Sequence, residues 1–295
     1  MRKFFKDTLT NLIIKNKNLI LLLCDIGVYS FKDIMKKYPK RVLNIGILEQ
    51  STVSFAAGLS SKKFIPVIHT ISPFLVNRAF EQIKIDFGYQ KLNGNFVTVG
   101  ASYDYASLGC THHCPEDINL MNNIPNMQIL VPGTGLEFNQ LFTQSFNKNK
   151  PNYFRLSSEE NKKSYKVTFG KANILKEGGD ITIIAVGPVL GFLENIVSKI
   201  NCNLLYYTSI RPFDKKTLNK FKKKTKKIII IEPYYGGSIL NYIFEVFEKQ
   251  KINISTINVP FEFIRKYGNK EDINKKIKFT KKDIEKKISN LLKNA

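Results

Sequence analysis

The sequence predicts an α/β protein with two parallel-sheet α/β domains in tandem. Short apolar or β-branched runs alternate along the chain with stretches of helical periodicity, as in repeated βαβ units. Several of the runs are apolar at every position, which is typical of parallel strands that helices cover on both faces. A length of 295 residues is enough for about two domains. We place these domains at residues 1–160 and 161–295.

The first domain is predicted to be a five- or six-stranded unit. Its strands are 19–24, 41–47, 64–69, 96–100, 129–132 and 152–156. A helix rich in small residues is predicted over 51–59, and apolar residues at helical spacing predict another over 73–87. A long polar loop is predicted over 101–117. Open α/β sheets bind ligands beyond the carboxyl ends of their strands, so the residues that follow these strands are candidates for a functional site.

A polar and charged stretch, 157–166, is the predicted linker between the domains. Further strands are predicted over 181–186, 202–207, 227–231 and 254–259, and helices over 190–200, 215–221, 238–249 and 281–292. This second alternating series predicts a second parallel sheet. Gly236-Gly237 is predicted to form a tight strand-to-helix turn, with an anion-binding backbone nest as the alternative.

The chain carries a formal charge of +22, from 46 basic and 24 acidic side chains, but only six of the basic residues are Arg. Arg is preferred for bidentate contacts with phosphates and bases, so an excess made of Lys argues against nucleic-acid binding. The longest apolar run, 19–24, is much shorter than the roughly 20 residues of a membrane span. Segment 1–7 contains an acidic residue and no uninterrupted apolar region follows it, so we predict a cytoplasmic protein without a secretory signal.

Glu49 is a lone carboxylate that follows an apolar strand in the segment 44–50, NIGILEQ. Apolar surroundings withdraw a carboxylate from water and favour sharing its proton with a nitrogen base, which is a catalytic arrangement. The alternative is an acid at a helix N-terminus, where the helix dipole stabilises it. Spacing alone leaves both interpretations open.

The loop segment 109–117, GCTHHCPED, holds two of the three histidines. Its two Cys and two His also permit a zinc site, but the sequence offers no matching second pair of ligands at a distance. A loop histidine that transfers protons fits better, because imidazole titrates near neutral pH. The GxGxxG, Walker A and GxSxG motifs do not occur, which removes the main signatures of dinucleotide oxidoreductases, P-loop NTPases and serine hydrolases.

Taken in order, these motifs resemble the C-terminal half of transketolases, and above all the short form in which the enzyme is made as two polypeptides. The resemblance covers nearly the whole chain. The segments that carry it are 25–27 (DIG), 41–50 (RVLNIGILEQ), 56–59 (AAGL), 73–83 (PFLVNRAFEQI), 109–113 (GCTHH), 178–185 (GGDITIIA), 211–214 (RPFD) and 231–237 (IEPYYGG).

The resemblance implies a pyrimidine-binding domain of a thiamine diphosphate enzyme at 1–160, followed by the transketolase C-terminal domain at 161–295. Glu49 would hydrogen-bond N1′ of the cofactor aminopyrimidine and so promote its activation, and Phe74 would stack against the same ring. His112 would act on protons of the substrate. The remaining residues implied for the site are Asp25 and Ile47 toward the cofactor, and Ser30, His113 and Arg155 toward the substrate.

The resemblance also implies that the part of the enzyme that binds the cofactor diphosphate lies on another polypeptide. The family holds Mg²⁺ and the cofactor diphosphate through a Gly-Asp-Gly motif followed by an Asn, and no Gly-Asp-Gly occurs here. The chain is therefore expected to be inactive alone and to need an N-terminal subunit that ligates Mg²⁺, in an α2β2 assembly. The implied reaction transfers a two-carbon ketol unit between a ketose and an aldose, as sugars or sugar phosphates.

At three positions relevant to the substrate, the sequence departs from the transketolase pattern. Leu108 stands where sugar-phosphate transketolases carry an aspartate, and Gly100 or a neighbouring residue replaces the histidine expected in the preceding strand. The arginine expected near Ser158 for a phosphate is absent, although Arg155 lies three residues earlier. Fewer cationic groups weaken the case for a standard pentose phosphate. Two rivals stay open: the β subunit of a 2-oxo acid dehydrogenase, which the Thr-His-His loop fits less well, and a non-catalytic, regulatory or nucleic-acid-associated member of the family.

Overall fold

The computed structural model describes residues 1–293. Its strands are β1 (Leu19–Leu23), β2 (Val42–Asn44), β3 (Ile65–Ile71), β4 (Gly94–Val99), β5 (Gln128–Leu130), β6 (Pro151–Arg155), β7 (Asn173–Lys176), β8 (Ile181–Val186), β9 (Asn203–Tyr207), β10 (Ser209–Arg211), β11 (Lys227–Tyr235) and β12 (Asn253–Val259). Its α-helices are α1 (Arg2–Lys15), α2 (Val28–Lys37), α3 (Glu49–Ser61), α4 (Ser72–Val76), α5 (Phe80–Gln82), α6 (Asp117–Asn122), α7 (Gly135–Ser145), α8 (Glu194–Lys199), α9 (Lys215–Lys220), α10 (Leu240–Phe247), α11 (Lys270–Lys276) and α12 (Lys281–Lys293).

The strands form two sheets. The first has the order β10-β5-β6-β4-β3-β1-β2, and the second has the order β12-β11-β8-β9-β7. Neighbours are parallel except for β10 with β5 and β7 with β9. The predicted fold class, two tandem α/β units with mostly parallel sheets, is confirmed.

The first sheet has a fully apolar strand, β1, between β2 and β3. All five residues of β1 are buried, as the uniformly apolar sequence requires. Because these strands are parallel, their carboxyl ends meet at one edge of the sheet. The segments that leave this edge include Asp25 after β1, Glu49 after β2 and Ser72 after β3.

The prediction of one continuous helix over 73–87 is wrong. The chain makes the short helices α4 and α5 and then a π-helical segment, Ile83–Tyr89. The fully buried residues of this region include Leu75, Ala79, Ile83 and Phe87. These four residues are spaced four apart, whereas an α-helix has about 3.6 residues per turn. A regular α-helix would rotate them away from one face, so the helix is interrupted and then widened to a π-helix.

Strand β10 belongs to the second half of the sequence but completes the first sheet. It pairs with β5, and Arg211 donates from Nη1 to the Ile124 carbonyl at 2.7 Å. This strand is not predicted from the sequence, because three residues are too few to show a period. Helices α1, α2, α6, α7 and α11 and strand β7 are not predicted either. In α1 the apolar face consists of Phe5, Leu9 and Ile13, and the lysines and threonines around these residues hide the pattern.

The remaining elements follow the predictions closely. The predicted helix over 190–200 divides into a 3₁₀ segment, Gly187–Phe192, and α8. Strand β11 continues four residues beyond its predicted end, to Tyr235, which brings its last residues against the first unit. Within residues 1–293, no helix combines the length and the apolar character needed to cross a bilayer.

Candidate active site

Glu49 lies at the centre of the candidate site. It is the first residue of α3, and its side chain is only 1% exposed. Gly46, with φ of +87°, makes the turn that joins β2 to this helix. Glu49 is therefore both a helix N-terminal acid and a buried carboxylate, so the two interpretations of the sequence are not exclusive.

Two side chains bind the Glu49 carboxylate. Thr70 donates from Oγ1 to Oε1 at 3.1 Å, and Arg78 donates from Nη1 to Oε2 at 2.8 Å. The Thr70 side chain is fully buried at the end of β3, whereas the Arg78 side chain is 43% exposed. The carboxylate is thus fixed from inside by the sheet and from outside by a cation that reaches solvent.

Phe74 lies between Arg78, which binds Glu49, and the polar loop 101–117 that contains both histidines (the histidine loop). The Arg78 guanidinium lies over the Phe74 ring, with 4.5 Å between Cζ and the ring centroid. On another side the His112 ring meets Phe74 edge to face, with centroids 5.0 Å apart, and Tyr105 follows at 6.1 Å from His112. Glu49, Phe74 and His112 are all predicted for one site. In the structure Arg78 connects Glu49 to Phe74, and Phe74 contacts His112.

The two histidines of the loop differ in their surroundings. His112 is half-buried and ends the 3₁₀ segment Cys110–His112, with Thr111 Oγ1 3.0 Å from its Nδ1. His113 is buried, and this burial lowers its pKa, which keeps its ring neutral at neutral pH. Within residues 1–293, His113 Nε2 is a buried atom without a hydrogen-bond partner. The same part of the chain contains no cluster of three or more His, Cys, Asp or Glu side chains placed to hold a metal ion.

A cavity of about 510 Å³ opens beside these residues, between the two units. Phe74, Arg78 and His113 line it from the first unit, and Tyr235 and Glu262 line it from the second. The second unit is held there by backbone contact, since the Tyr235 amide donates to the Pro115 carbonyl at 2.8 Å. The C-terminal unit therefore forms one wall of the cavity and supports the histidine loop.

Arg155 is not available to bind a substrate, so its predicted role is corrected. Its side chain is 2% exposed, and its Nε donates to Asp117 at 2.8 Å while its Nη2 donates to Ser102 Oγ at 2.6 Å. Ser102 Oγ in turn donates to the Pro233 carbonyl at 2.6 Å. Ser102 and Asp117 lie at the two ends of the histidine loop, so Arg155 ties these ends to each other and to the second unit.

The other predicted site residues lie on the exposed rim. Asp25 is exposed in a left-handed conformation, with φ of +59°, and exchanges hydrogen bonds with Asn44 at 2.9 and 3.2 Å. Ile47 and Ser30 are also exposed. These residues lie on the surface and do not form the buried part of the site.

Sequence reasoning assigns no role to Thr70 or Arg78, which both bind Glu49 directly. The sequence could have indicated Arg78, because it stands four residues after Phe74 in the segment 73–83, which resembles transketolases. Side chains at this spacing meet on a helix. The sequence does not indicate Thr70, since it is one β-branched residue in a strand. The Arg155–Asp117 pair joins positions 38 residues apart, and only the folded sheet brings them together.

A family model described as the transketolase pyrimidine binding domain matches residues 1–163, and one described as the transketolase C-terminal domain matches residues 170–284. The chain is 31% identical over 91% of its length to an uncharacterized 33.6 kDa protein in the fasciation locus of Rhodococcoides fascians, covering 87% of that protein. It is 29% identical over 92% of its length to one of the subunits of the apulose-4-phosphate transketolase of Phocaeicola vulgatus, covering 91% of that polypeptide. Among solved structures, a split-gene transketolase described as an inactive β4 tetramer matches with a TM-score of 0.85 and 25% identity, over 98% of this chain and 97% of that one.

Proposed function

Because this chain belongs to the transketolase family, we propose that it is the second subunit of a split transketolase that uses thiamine diphosphate. The proposed reaction transfers a two-carbon ketol unit from a ketose to an aldose, as sugars or sugar phosphates. One observation carries the proposal: a carboxylate that is 1% exposed, at the carboxyl edge of a parallel sheet, is linked through Arg78 to an aromatic ring. The similarity to one polypeptide of an apulose-4-phosphate transketolase supports it.

The residues present fit the aminopyrimidine of the cofactor. Glu49 would hold a proton between its carboxylate and N1′, and Phe74 would stack on the ring. A buried carboxylate with two hydrogen-bond donors is suited to this role, because its position is fixed and one of the donors, Arg78, lines the cavity. When bound, thiamine diphosphate supplies the nucleophilic carbon that carries the ketol unit.

The two histidines would bind the substrate and transfer its protons. The His112 ring is held beside Phe74 by an edge-to-face contact and by Thr111 Oγ1 at its Nδ1. There it would donate a proton to, or accept one from, a substrate hydroxyl. His113 is neutral and has an unpartnered buried Nε2 within residues 1–293, which supports a role in binding a sugar hydroxyl at the 510 Å³ cavity.

A partner chain would complete the site. The sequence contains no Gly-Asp-Gly, so we assign the binding of Mg²⁺ and diphosphate to an N-terminal subunit. Large apolar side chains are exposed on α3, on the turn before it and on the π-helical segment, which a Ser54–Asp86 hydrogen bond joins to α3: Ile47, Leu48, Phe55, Ile85 and Tyr89. A group of this kind on one face is typical of a protein–protein contact. We propose an α2β2 assembly in which this face meets the partner.

The proposal predicts that activity depends on assembly. The chain alone should show no ketol transfer, and mixing it with the N-terminal transketolase subunit of the same organism should give activity that saturates near one partner per chain. Coupled enzymatic detection of the ketose product, together with mass measurement of the complex, checks both points. Changing Tyr89, which is 82% exposed, to Asp should weaken assembly, whereas Phe244→Asp, at an exposed position of α10 in the second unit, is the control. Full activity of the chain without any partner would contradict the proposal.

A further inference from the structure

Arg78 already makes the two contacts that the proposed function assigns to the cofactor ring. Its Nη1 donates to Glu49 Oε2 at 2.8 Å, and its guanidinium lies 4.5 Å from the centroid of Phe74. An aminopyrimidine in the proposed position would need the same carboxylate and the same stacking ring. The inference that follows rests on the proposed function.

The chemistry of the two groups explains this overlap. A guanidinium is a planar, delocalised cation that stacks on aromatic faces and donates hydrogen bonds to carboxylates. An aminopyrimidine is also planar, and when protonated at N1′ it also donates a hydrogen bond and carries positive charge. One Glu49 oxygen is bound by buried Thr70 and the other by Arg78, which lines the cavity, so a ligand that displaced Arg78 would meet this second oxygen.

The Arg78 side chain is also able to move away from Glu49 and Phe74. It stands in the break between α4 and α5, its side chain is 43% exposed, and it lines the 510 Å³ cavity, so its guanidinium has room to move without disturbing the core. Glu49, by contrast, is fixed at the start of α3 and 1% exposed. A carboxylate this deeply buried needs a compensating partner at all times.

We propose that Arg78 occupies the aminopyrimidine position in the free chain and that the cofactor displaces it. While the site lacks a cofactor, Arg78 neutralises Glu49 and covers Phe74, so the buried charge is paired before assembly. Cofactor binding exchanges one planar cationic partner of Glu49 for another. Arg78 thereby regulates the site by competing with the cofactor, and it sets how tightly the assembled enzyme binds it.

The test is a calorimetric titration of thiamine diphosphate, with Mg²⁺ in excess, into the complex reconstituted from this chain and the N-terminal subunit. Arg78→Met removes the competing hydrogen bonds and charge but keeps an apolar stem, and it should tighten cofactor binding about 10-fold, in line with the contacts that no longer need to be broken. Arg78→Lys keeps the charge without the planar fork and should lie between Arg78→Met and the natural chain. Lys148→Met is the matched control, since Lys148 lies 4.6 Å over the Phe169 ring, far along the sequence from Glu49, and its loss should leave the affinity unchanged.

A second comparison isolates the shared carboxylate. In a Glu49→Gln background, which removes the ion pair, Arg78→Met should change cofactor affinity less than about 3-fold, because little competition is left. Unchanged or weaker binding by Arg78→Met would overturn the inference, and weaker binding would mean that Arg78 holds the cofactor. If the natural complex binds the cofactor and Glu49→Gln weakens that binding, the proposed function stands even when Arg78→Met fails this test. If the natural complex does not bind the cofactor, the proposed function itself fails.

Discussion

Glu49→Gln should reduce kcat of the reconstituted enzyme by about 10²- to 10⁴-fold, the range typical of losing a positioned acid or base. The amide keeps the size of the side chain and can still accept a hydrogen bond from Thr70 or Arg78 through its oxygen. It cannot share a proton with a ring nitrogen as a carboxylate does. The loss should therefore fall on kcat, while the KM values for the sugars change little.

Steady-state kinetics with saturating cofactor and partner measure this effect. Glu248→Gln is the matched control, because it makes the same chemical change at an exposed position just after α10 in the second unit, and it should leave kcat within about 2-fold of the natural enzyme, as expected for a surface substitution. Circular dichroism and thermal unfolding confirm that both variants fold. A Glu49→Gln enzyme with kcat close to that of the control would remove Glu49 from the mechanism.

Arg155→Met should lower the free energy of unfolding by about 3–5 kcal/mol, the usual cost of breaking a buried ion pair from one side. It would leave Asp117 fully buried without its cation, and burial already raises the pKa of Asp117 despite the opposing effect of Arg155. It would also remove the donor to Ser102, which holds the start of the histidine loop. Urea denaturation of the chain, followed by circular dichroism, measures the loss.

The paired variant Arg155→Met/Asp117→Leu serves as the comparison. Removing both charges leaves no uncompensated carboxylate, so it should recover part of the stability lost in Arg155→Met. Arg265→Met is the control, because Arg265 is exposed, and its unfolding free energy should stay within about 0.5 kcal/mol of the natural value. An Arg155→Met chain as stable as this control would show that the buried pair contributes little.

The sequence predicts the parallel core well because its strands are short runs dominated by apolar or β-branched residues. The run of β1 is buried at all five positions and has no polar face to confuse its assignment. Elements whose form depends on the rest of the fold are harder to predict. Strand β10 exists because β5 offers it an open edge, and the segment 72–89 departs from an α-helix because its buried residues must all meet one surface.

The candidate site shows the same division. Glu49, Phe74 and His112 stand in ordered motifs, so the sequence identifies them, and the fold brings Phe74 into contact with both Arg78 and His112. Arg155 shows what sequence spacing cannot decide. A basic residue near a predicted site suggests a substrate contact, but whether it faces a cavity or a buried acid depends on Asp117, which only the arrangement of the loop places beside it.

The most direct test of the role of Glu49 is the structure of the assembled enzyme with thiamine diphosphate and the measured distance between the Glu49 carboxylate and N1′ of the aminopyrimidine. We expect about 2.6–3.2 Å, a hydrogen-bonding distance, with the ring stacked on Phe74 and Arg78 moved aside. A cofactor whose aminopyrimidine lies elsewhere, with Glu49 still bound to Arg78 and Thr70 alone, would contradict the role proposed for this carboxylate.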